Sequence, residues 1–298
     1  MKRLAPMTIG RSGKQAHRGF TLIEVITVVV ILSIVTVIGT GFVAQSVESY
    51  DRAQQRSKLI NRGRQAIERL TRQLRTALPH SLRLSNDGSG LCIEFMPVTG
   101  GGNYIGPDYD NNGSVDQEEL PTVDNAAAPA APYSVITAPF DLNLGAGQHF
   151  TAGVMAASEL YSAANPSSRE EIGAIGATAI VSIPLNGAHR FMRNSINKRF
   201  FILDQPGRFC ISGGQLFYYD NYAMPVDGLS DIVNGQPGGS TSSLLAGNIG
   251  DLTGITPFQL STATQDRNAV VNITIPFDSR DGAETIELKQ SVMIRNVP

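Results

Sequence analysis

The apolar pattern changes character once along the chain. Residues 25–47 carry no charge and are mostly large aliphatics, so a helix there would be apolar all round and, at 1.5 Å rise per residue, long enough to cross a bilayer. From Tyr50 onward, Leu59 with Ile60, Gly63, Ile67, Leu70, Leu74 and Ala77 with Leu78 recur at alternating three- and four-residue steps. That spacing predicts one apolar stripe on an otherwise polar helix. Pro79 stops the pattern, since it lacks an N–H and clashes with the preceding turn. Residues 20–78 therefore read as one long helix in two halves: the first needs a membrane or partner helices, and the second needs a globular domain. Gly39 and Gly41 interrupt the apolar half, each at a cost of up to about 1 kcal/mol relative to alanine. They mark either a bend or a close approach of another helix.

Beyond residue 80 the period falls to two. Residues 81–85, 91–98, 148–155, 177–185, 199–203, 209–212, 215–219, 269–277 and 284–295 are β-rich runs bounded by Gly, Pro, Asn or Asp. Gly213-Gly214 and Arg280-Asp281-Gly282 are hairpin signals. Residues 122–132, rich in Ala and Pro, and 234–250, rich in Gly and Ser, read as surface loops. The expected class is α+β, with a long N-terminal helix packed on an antiparallel β-rich domain. The 42% hydrophobic and 17% charged content of the 298 residues suits a sizeable core of that kind.

Charge adds an orientation. Lys2, Arg3, Arg11, Lys14 and Arg18 precede Phe20 with no acid among them, and without these five the 24 basic residues fall to 19 against 26 acidic ones. A basic leader before an apolar run stays in the cytoplasm, so the acidic remainder lies across the membrane. A second basic set, Arg52, Arg56, Lys58, Arg62, Arg64, Arg69, Arg72 and Arg75, forms the outward face of the helix's second half. It fits a solvated face, anionic headgroups or the acidic face of a neighbouring subunit. Without interleaved aromatics, nucleic acid is not the expected partner.

The basic leader meets the apolar run at Arg18-Gly19-Phe20-Thr21-Leu22-Ile23-Glu24-Val25, and Glu24 is the anomaly. A carboxylate inside a span costs roughly 2.5–3.5 kcal/mol, so it needs a partner or a task. Gly19-Phe20-Thr21-Leu22-Ile23-Glu24 resembles the prepilin motif of type IV pilins and type II secretion pseudopilins. That resemblance implies a leader of residues 1–19 cut after Gly19 by a prepilin peptidase, and N-methylation of Phe20. It implies further that residues 20–49 form the membrane and assembly half of the helix and residues 50–298 a periplasmic pilin domain. Glu24 would neutralise the amino group of Phe20 in an adjacent subunit. The implied partners are other major and minor pilins and the inner-membrane assembly platform of a Gram-negative bacterium. The segment Arg208-Phe209-Cys210-Ile211-Ser212-Gly213-Gly214-Gln215-Leu216-Phe217-Tyr218-Tyr219 and the terminal Val292-Met293-Ile294-Arg295-Asn296-Val297-Pro298 are similar to minor pilins of the MshO type, from mannose-sensitive haemagglutinin pili, and broadly to J-type minor pseudopilins. The size of the β-rich domain points to a tip or initiation role. A secretion pseudopilin and an adhesive module displayed on the pilus are the alternatives.

Two further signals concern chemistry. Cys92 and Cys210, both in strand-like runs, are too far apart for a CxxC motif and too few for a zinc site. In an oxidising periplasm they point to a disulfide, which in the chain-entropy model contributes roughly 4–5 kcal/mol; the alternative is two thiols buried apart. Residues 108–119 fit the twelve-residue calcium-loop pattern, with Asp108, Asp110, Asn112, Ser114, Asp116 and Glu119 at the ligand positions and Gly113 at the turn. Pro107 and Pro121 make the flanking helices of an EF-hand doubtful, so the expectation is a lone loop for calcium or an ion-free turn. For an enzyme the chain offers little: His80, His149 and His189 are in no HExxH spacing, and there is neither a nucleophile elbow nor a P-loop.

Overall fold

The computed structural model describes residues 19–125, 129–138, 144–145, 147–174, 182–261, 268–279, 282 and 284–295. The chain divides into two compact units, 1–54 and 55–298. One helix, α1 (Leu22–Leu74), begins in the first and ends in the second.

The stripe read from the sequence is the face that α1 buries. Leu59, Gly63, Ala66, Ile67, Leu70 and Leu74 are its buried residues, and Leu70 and Leu74 are fully enclosed. Gly63 sits where helix and sheet approach most closely: a Cβ there would stand 2.5 Å from Leu288 Cδ1 and 3.1 Å from the Phe277 ring. The helix ends at Leu74, four residues short of the expected 78. The residues before Pro79 are drawn into pairing instead. Leu78 is extended (φ −68°, ψ 126°), as a residue preceding proline prefers, and its N–H donates to Met96 O at 2.9 Å, while Val98 N–H donates to Thr76 O at 2.7 Å.

After a 3₁₀ turn at Pro79–Ser81, the strands are β1 (Arg83–Leu84), β2 (Cys92–Phe95), β3 (Val98–Asp108), β4 (Ser134–Thr137) and β5 (His149–Ala152). A four-residue helix, α2 (Ala157–Leu160), precedes β6 (Arg169–Glu171), β7 (Ser182–Pro184), β8 (Arg199–Leu203), β9 (Gly207–Ser212) and β10 (Gln215–Asp220). The last four are β11 (Thr241–Gly247), β12 (Phe258–Ser261), β13 (Ala269–Asp278) and β14 (Thr285–Ile294). They form three antiparallel sheets in the orders β1-β2-β9-β10-β11, β12-β13-β14 and β6-β5-β8-β3-β4-β7.

Period-2 alternation gives the five-stranded sheet two distinct faces. Ile93, Phe95, Phe209, Ile211, Leu216 and Tyr218 share one core with α1 and the three-stranded sheet. Cys92, Cys210 and Tyr219 point to the other side, with Tyr222 and Ile232 over them. Cys92 and Cys210 are register partners and are joined as a disulfide, with Cα atoms 4.1 Å apart. The six-stranded sheet has its own core around Phe150, Phe191 and Phe200.

The Gly213-Gly214 turn joins β9 to β10, both glycines at positive φ, as a primed turn requires. The other hairpin signal joins β13 to β14, which pair along ten residues; its Arg280 and Asp281 lie outside the described residues, as do residues 177–181 of an expected strand. Two expectations change. The 234–250 segment, read as a loop, contains edge strand β11, whose exposed Thr241 and Ser242 and half-buried Ser243 mask the strand pattern. Gly100-Gly101-Gly102 lies outside every expected strand, yet those glycines pair with Ile202, Phe201 and Phe200 in the middle of the six-stranded sheet.

Of the three histidines, expected to be hydrogen-bonded or exposed, His189 is bonded and His149 is neither. In β5 it is buried, and neither ring nitrogen has a hydrogen-bond partner among the described residues. Burial first, then the Arg169 charge, lowers its pKa from 6.5 to about 4. Between those values the unfolded chain takes up a proton that the folded chain refuses, so stability falls as pH drops through that window. His149→Leu should remove this term. Urea unfolding at pH 7 and pH 4 should show the native chain losing about 2–3 kcal/mol more than the variant, and equal losses would mean that the ring is not held neutral.

Candidate functional site

At the N-terminal site, Gly19 and Phe20 are exposed and lie ahead of α1, outside the helix. Thr21 caps the helix: the Glu24 N–H reaches Thr21 O at 3.1 Å and Thr21 Oγ1 at 3.4 Å. Thr21-Leu22-Ile23-Glu24 thus has capping-box spacing, with its threonine half formed. Glu24 lies in the first turn, where the helix dipole favours a negative charge. It is exposed and makes no ion pair among the described residues.

Beyond Glu24 the helix continues unbroken past Gly39 and Gly41, and a Cβ at either glycine would meet nothing within 4 Å. The polar residues in this stretch turn inward on the helix itself. Thr27, Ser33, Thr36, Thr40 and Ser46 each donate a hydroxyl proton to a carbonyl three or four residues back. Their hydroxyls are therefore satisfied without water, as a lipid or helix-bundle setting requires. By length and composition α1 can cross a membrane.

A second candidate is the turn after β3. Asp108 is buried, and its carboxylate accepts the N–H groups of Asn112 (3.1 Å) and Gly113 (2.9 Å). Asp116 Oδ2 accepts the Tyr109 N–H at 2.6 Å, and the Asp116 N–H returns to Pro107 O at 2.9 Å. Each of Asp108, Asp110 and Asp116 places a carboxylate oxygen within 4.8 Å of the others. Asn112 Oδ1 instead accepts the Ser114 N–H at 2.8 Å, and Glu119 accepts Asn125 Nδ2 at 2.8 Å. Three of the six expected ligand positions are thus drawn together, in a loop that follows a strand. Gly106 lets the loop fold back on β3, because a Cβ there would stand 1.9 Å from Gln117 O.

A family model described as "Prokaryotic N-terminal methylation motif" matches residues 14–40. No curated protein and no solved structure matches the chain. The motif supports a type IV pilin or pseudopilin, and implies contact with other pilins and with assembly machinery in general.

The sequence reading missed a buried charge network beside the disulfide. Arg83, Glu94 and Arg208 are cross-strand partners in β1, β2 and β9. Glu94 is fully buried and accepts Arg83 Nε at 2.7 Å, Arg208 Nε at 2.9 Å and the Tyr222 hydroxyl at 2.9 Å. Arg83 also donates to Asp227 at 2.9 Å and lies 3.7 Å over the Tyr161 ring. Burial opposes the charge on Arg83, but Glu94, Tyr161 and Asp227 outweigh it and raise its pKa. Burial, reinforced by Glu94, pushes the Tyr222 hydroxyl far up. The remaining arginine donors bind the carbonyls of Leu229, Val233 and Gly235, which fastens the 227–235 segment over the disulfide. The sequence signal was a single charge among large apolar residues in both cysteine-bearing strands: Glu94 between Ile93 and Phe95, and Arg208 before Phe209. Glu94→Gln keeps the shape but leaves two arginines short of their shared anion. Denaturant unfolding should show a loss of about 3–5 kcal/mol, and a loss below about 1 kcal/mol would show that Glu94 is not the hub.

Proposed function

We propose that the chain is a minor type IV pilin that enters a filament through its N-terminal helix and helps to prime assembly near the filament's start. The observation that carries this reading is Glu24, an exposed carboxylate in the first turn of a helix whose next charged residue is Glu48. A prepilin cut after Gly19 would give Phe20 a new amino group one turn from that carboxylate. In a dry bundle of such helices, Glu24 and the Phe20 ammonium of a neighbour each relieve the other's desolvation. The basic leader supports an inner-membrane precursor with residues 50–298 in the periplasm. The large β-rich domain supports sparing use along a filament. A type II secretion pseudopilin shares the helix chemistry and is separated by whether secretion or piliation fails on deletion.

The Asp108, Asp110 and Asp116 oxygens favour an added ion-dependent element. In this reading the loop takes calcium weakly, with Asn112, Ser114 and Glu119 completing the ligand set after local movement. Millimolar calcium at about ten times its dissociation constant would stabilise the native chain by about 1.4 kcal/mol, seen as a higher melting temperature that Asp108→Ala abolishes. An unshifted native melt would remove calcium from the account.

The assembly role is tested by Glu24→Val. Cleavage should proceed, while the variant's content in sheared filaments drops at least about tenfold, as loss of a buried pair implies. Unchanged filament content would overturn the role assigned to Glu24.

A further inference from the structure

Two patches of opposite charge lie on separate parts of the 55–298 unit. On α1 and the turn that ends it, Lys58, Arg62, Arg64, Arg69, Arg72 and Arg75 are exposed, with Glu68 the only acid among them. Neighbouring Arg56 is paired with Glu284 at 3.2 Å, and Arg69 lies 5.9 Å over the Tyr218 ring. The others make no ion pair among the described residues. A solvated helix usually alternates acids with bases, because opposite charges three or four apart help and like charges at that spacing repel. Here Lys58 and Arg62 stand four apart, and Arg69, Arg72 and Arg75 stand three apart. Five of the six are arginines, whose planar fork matches a carboxylate and which are enriched at interfaces.

The opposite patch is the loop after β3. Residues 108–124 hold six acids and no base, and Asp110, Asp116, Glu118, Glu119 and Asp124 are exposed. The two patches belong to different cores, since α1 packs with the five- and three-stranded sheets and the loop extends from the six-stranded one. Neither neutralises the other within one chain.

We propose that the basic face of α1 docks on the 108–124 loop of a second copy of this chain. The contact joins two different patches, so a docked pair keeps one basic and one acidic patch free, and a head-to-tail arrangement can take up further copies. The inference goes beyond the pilin reading and rests on it only in supposing that copies stand side by side; consecutive copies would form the priming stack. Exposed pairs are weak individually and screened by salt, so such a contact governs register and order of addition more than strength.

The test is co-capture of differently tagged full-length chains in detergent. Native chains should capture one another at about 50 mM salt and much less at about 500 mM. Arg62→Glu/Arg69→Glu/Arg72→Glu should lose self-capture at least about tenfold, and so should Asp110→Lys/Glu118→Lys/Asp124→Lys. Mixing these two variants should restore capture, a pattern that shared apolar helices cannot produce. The single changes Arg69→Glu and Glu118→Lys repeat the test with minimal risk to folding. Self-capture by the helix variant, or failure of the mixed variants to bind, would overturn the proposal. So would native chains that bind anionic phosphatidylglycerol vesicles through these arginines but never each other. None of these readouts depends on cleavage at Gly19, so the pilin reading and this one fail separately.

Discussion

Apolar surface on a helix has to be covered, and among the described residues α1 buries side chains only from Leu59 onward. From Leu59 onward the stripe is enclosed by the five- and three-stranded sheets, closely enough that a Cβ at position 63 would press on Leu288 and the Phe277 ring. At residues 25–47 no side chain is buried. Burial is worth roughly 25 cal/mol per Å² of apolar surface, so a run this long forces the question of what covers it. In the pilin reading proposed above, a bilayer would answer it before assembly and other helices of the same kind after it. Glu24 separates the two settings, since lipid offers the carboxylate no counter-charge and a neighbouring chain can.

The β-rich unit meets a second constraint by segregating its charge. One face of the five-stranded sheet is apolar and meets α1. The other gathers the disulfide, Arg83, Glu94 and Arg208 under a strap of residues held by Tyr222 and Asp227. Buried ions are tolerated there because every charge is bonded to its register neighbour. The helix seat is thereby backed by a cross-linked and ion-paired layer, which suits a domain that must hold a long helix firmly.

What the sequence made legible follows from how local each signal is. The stripe at Leu59, Gly63, Ile67, Leu70 and Leu74 could be read because helix periodicity is set by neighbours within two turns. The Gly213-Gly214 hairpin and the Cys92 and Cys210 strands could be read for the same reason, and the disulfide between them followed from chemistry and compartment. The Gly100-Gly101-Gly102 strand could not, because its pairing is supplied by β8 a hundred residues away. Edge strand β11 was hidden by exposed Ser and Thr, and β4, β6 and β12 by their brevity. At the N-terminus, Gly19, Phe20 and Glu24 were legible through an ordered motif, whereas the capping contact of Thr21 needed coordinates. The Arg83–Glu94–Arg208 network depends on register across three strands, which no local pattern specifies. In the 108–119 loop the residue types were legible but the grouping was not, since Glu119 turns to Asn125 while Asp108, Asp110 and Asp116 converge.

In the reading proposed here the apolar helix is a processed assembly element and not a permanent anchor or a discarded signal. The decisive measurement is the intact mass of the chain purified from membranes of its host. The expected species begins at Phe20 and carries one added methyl group on its amino terminus. A chain that retains Met1, or one cut after the apolar run, would contradict it.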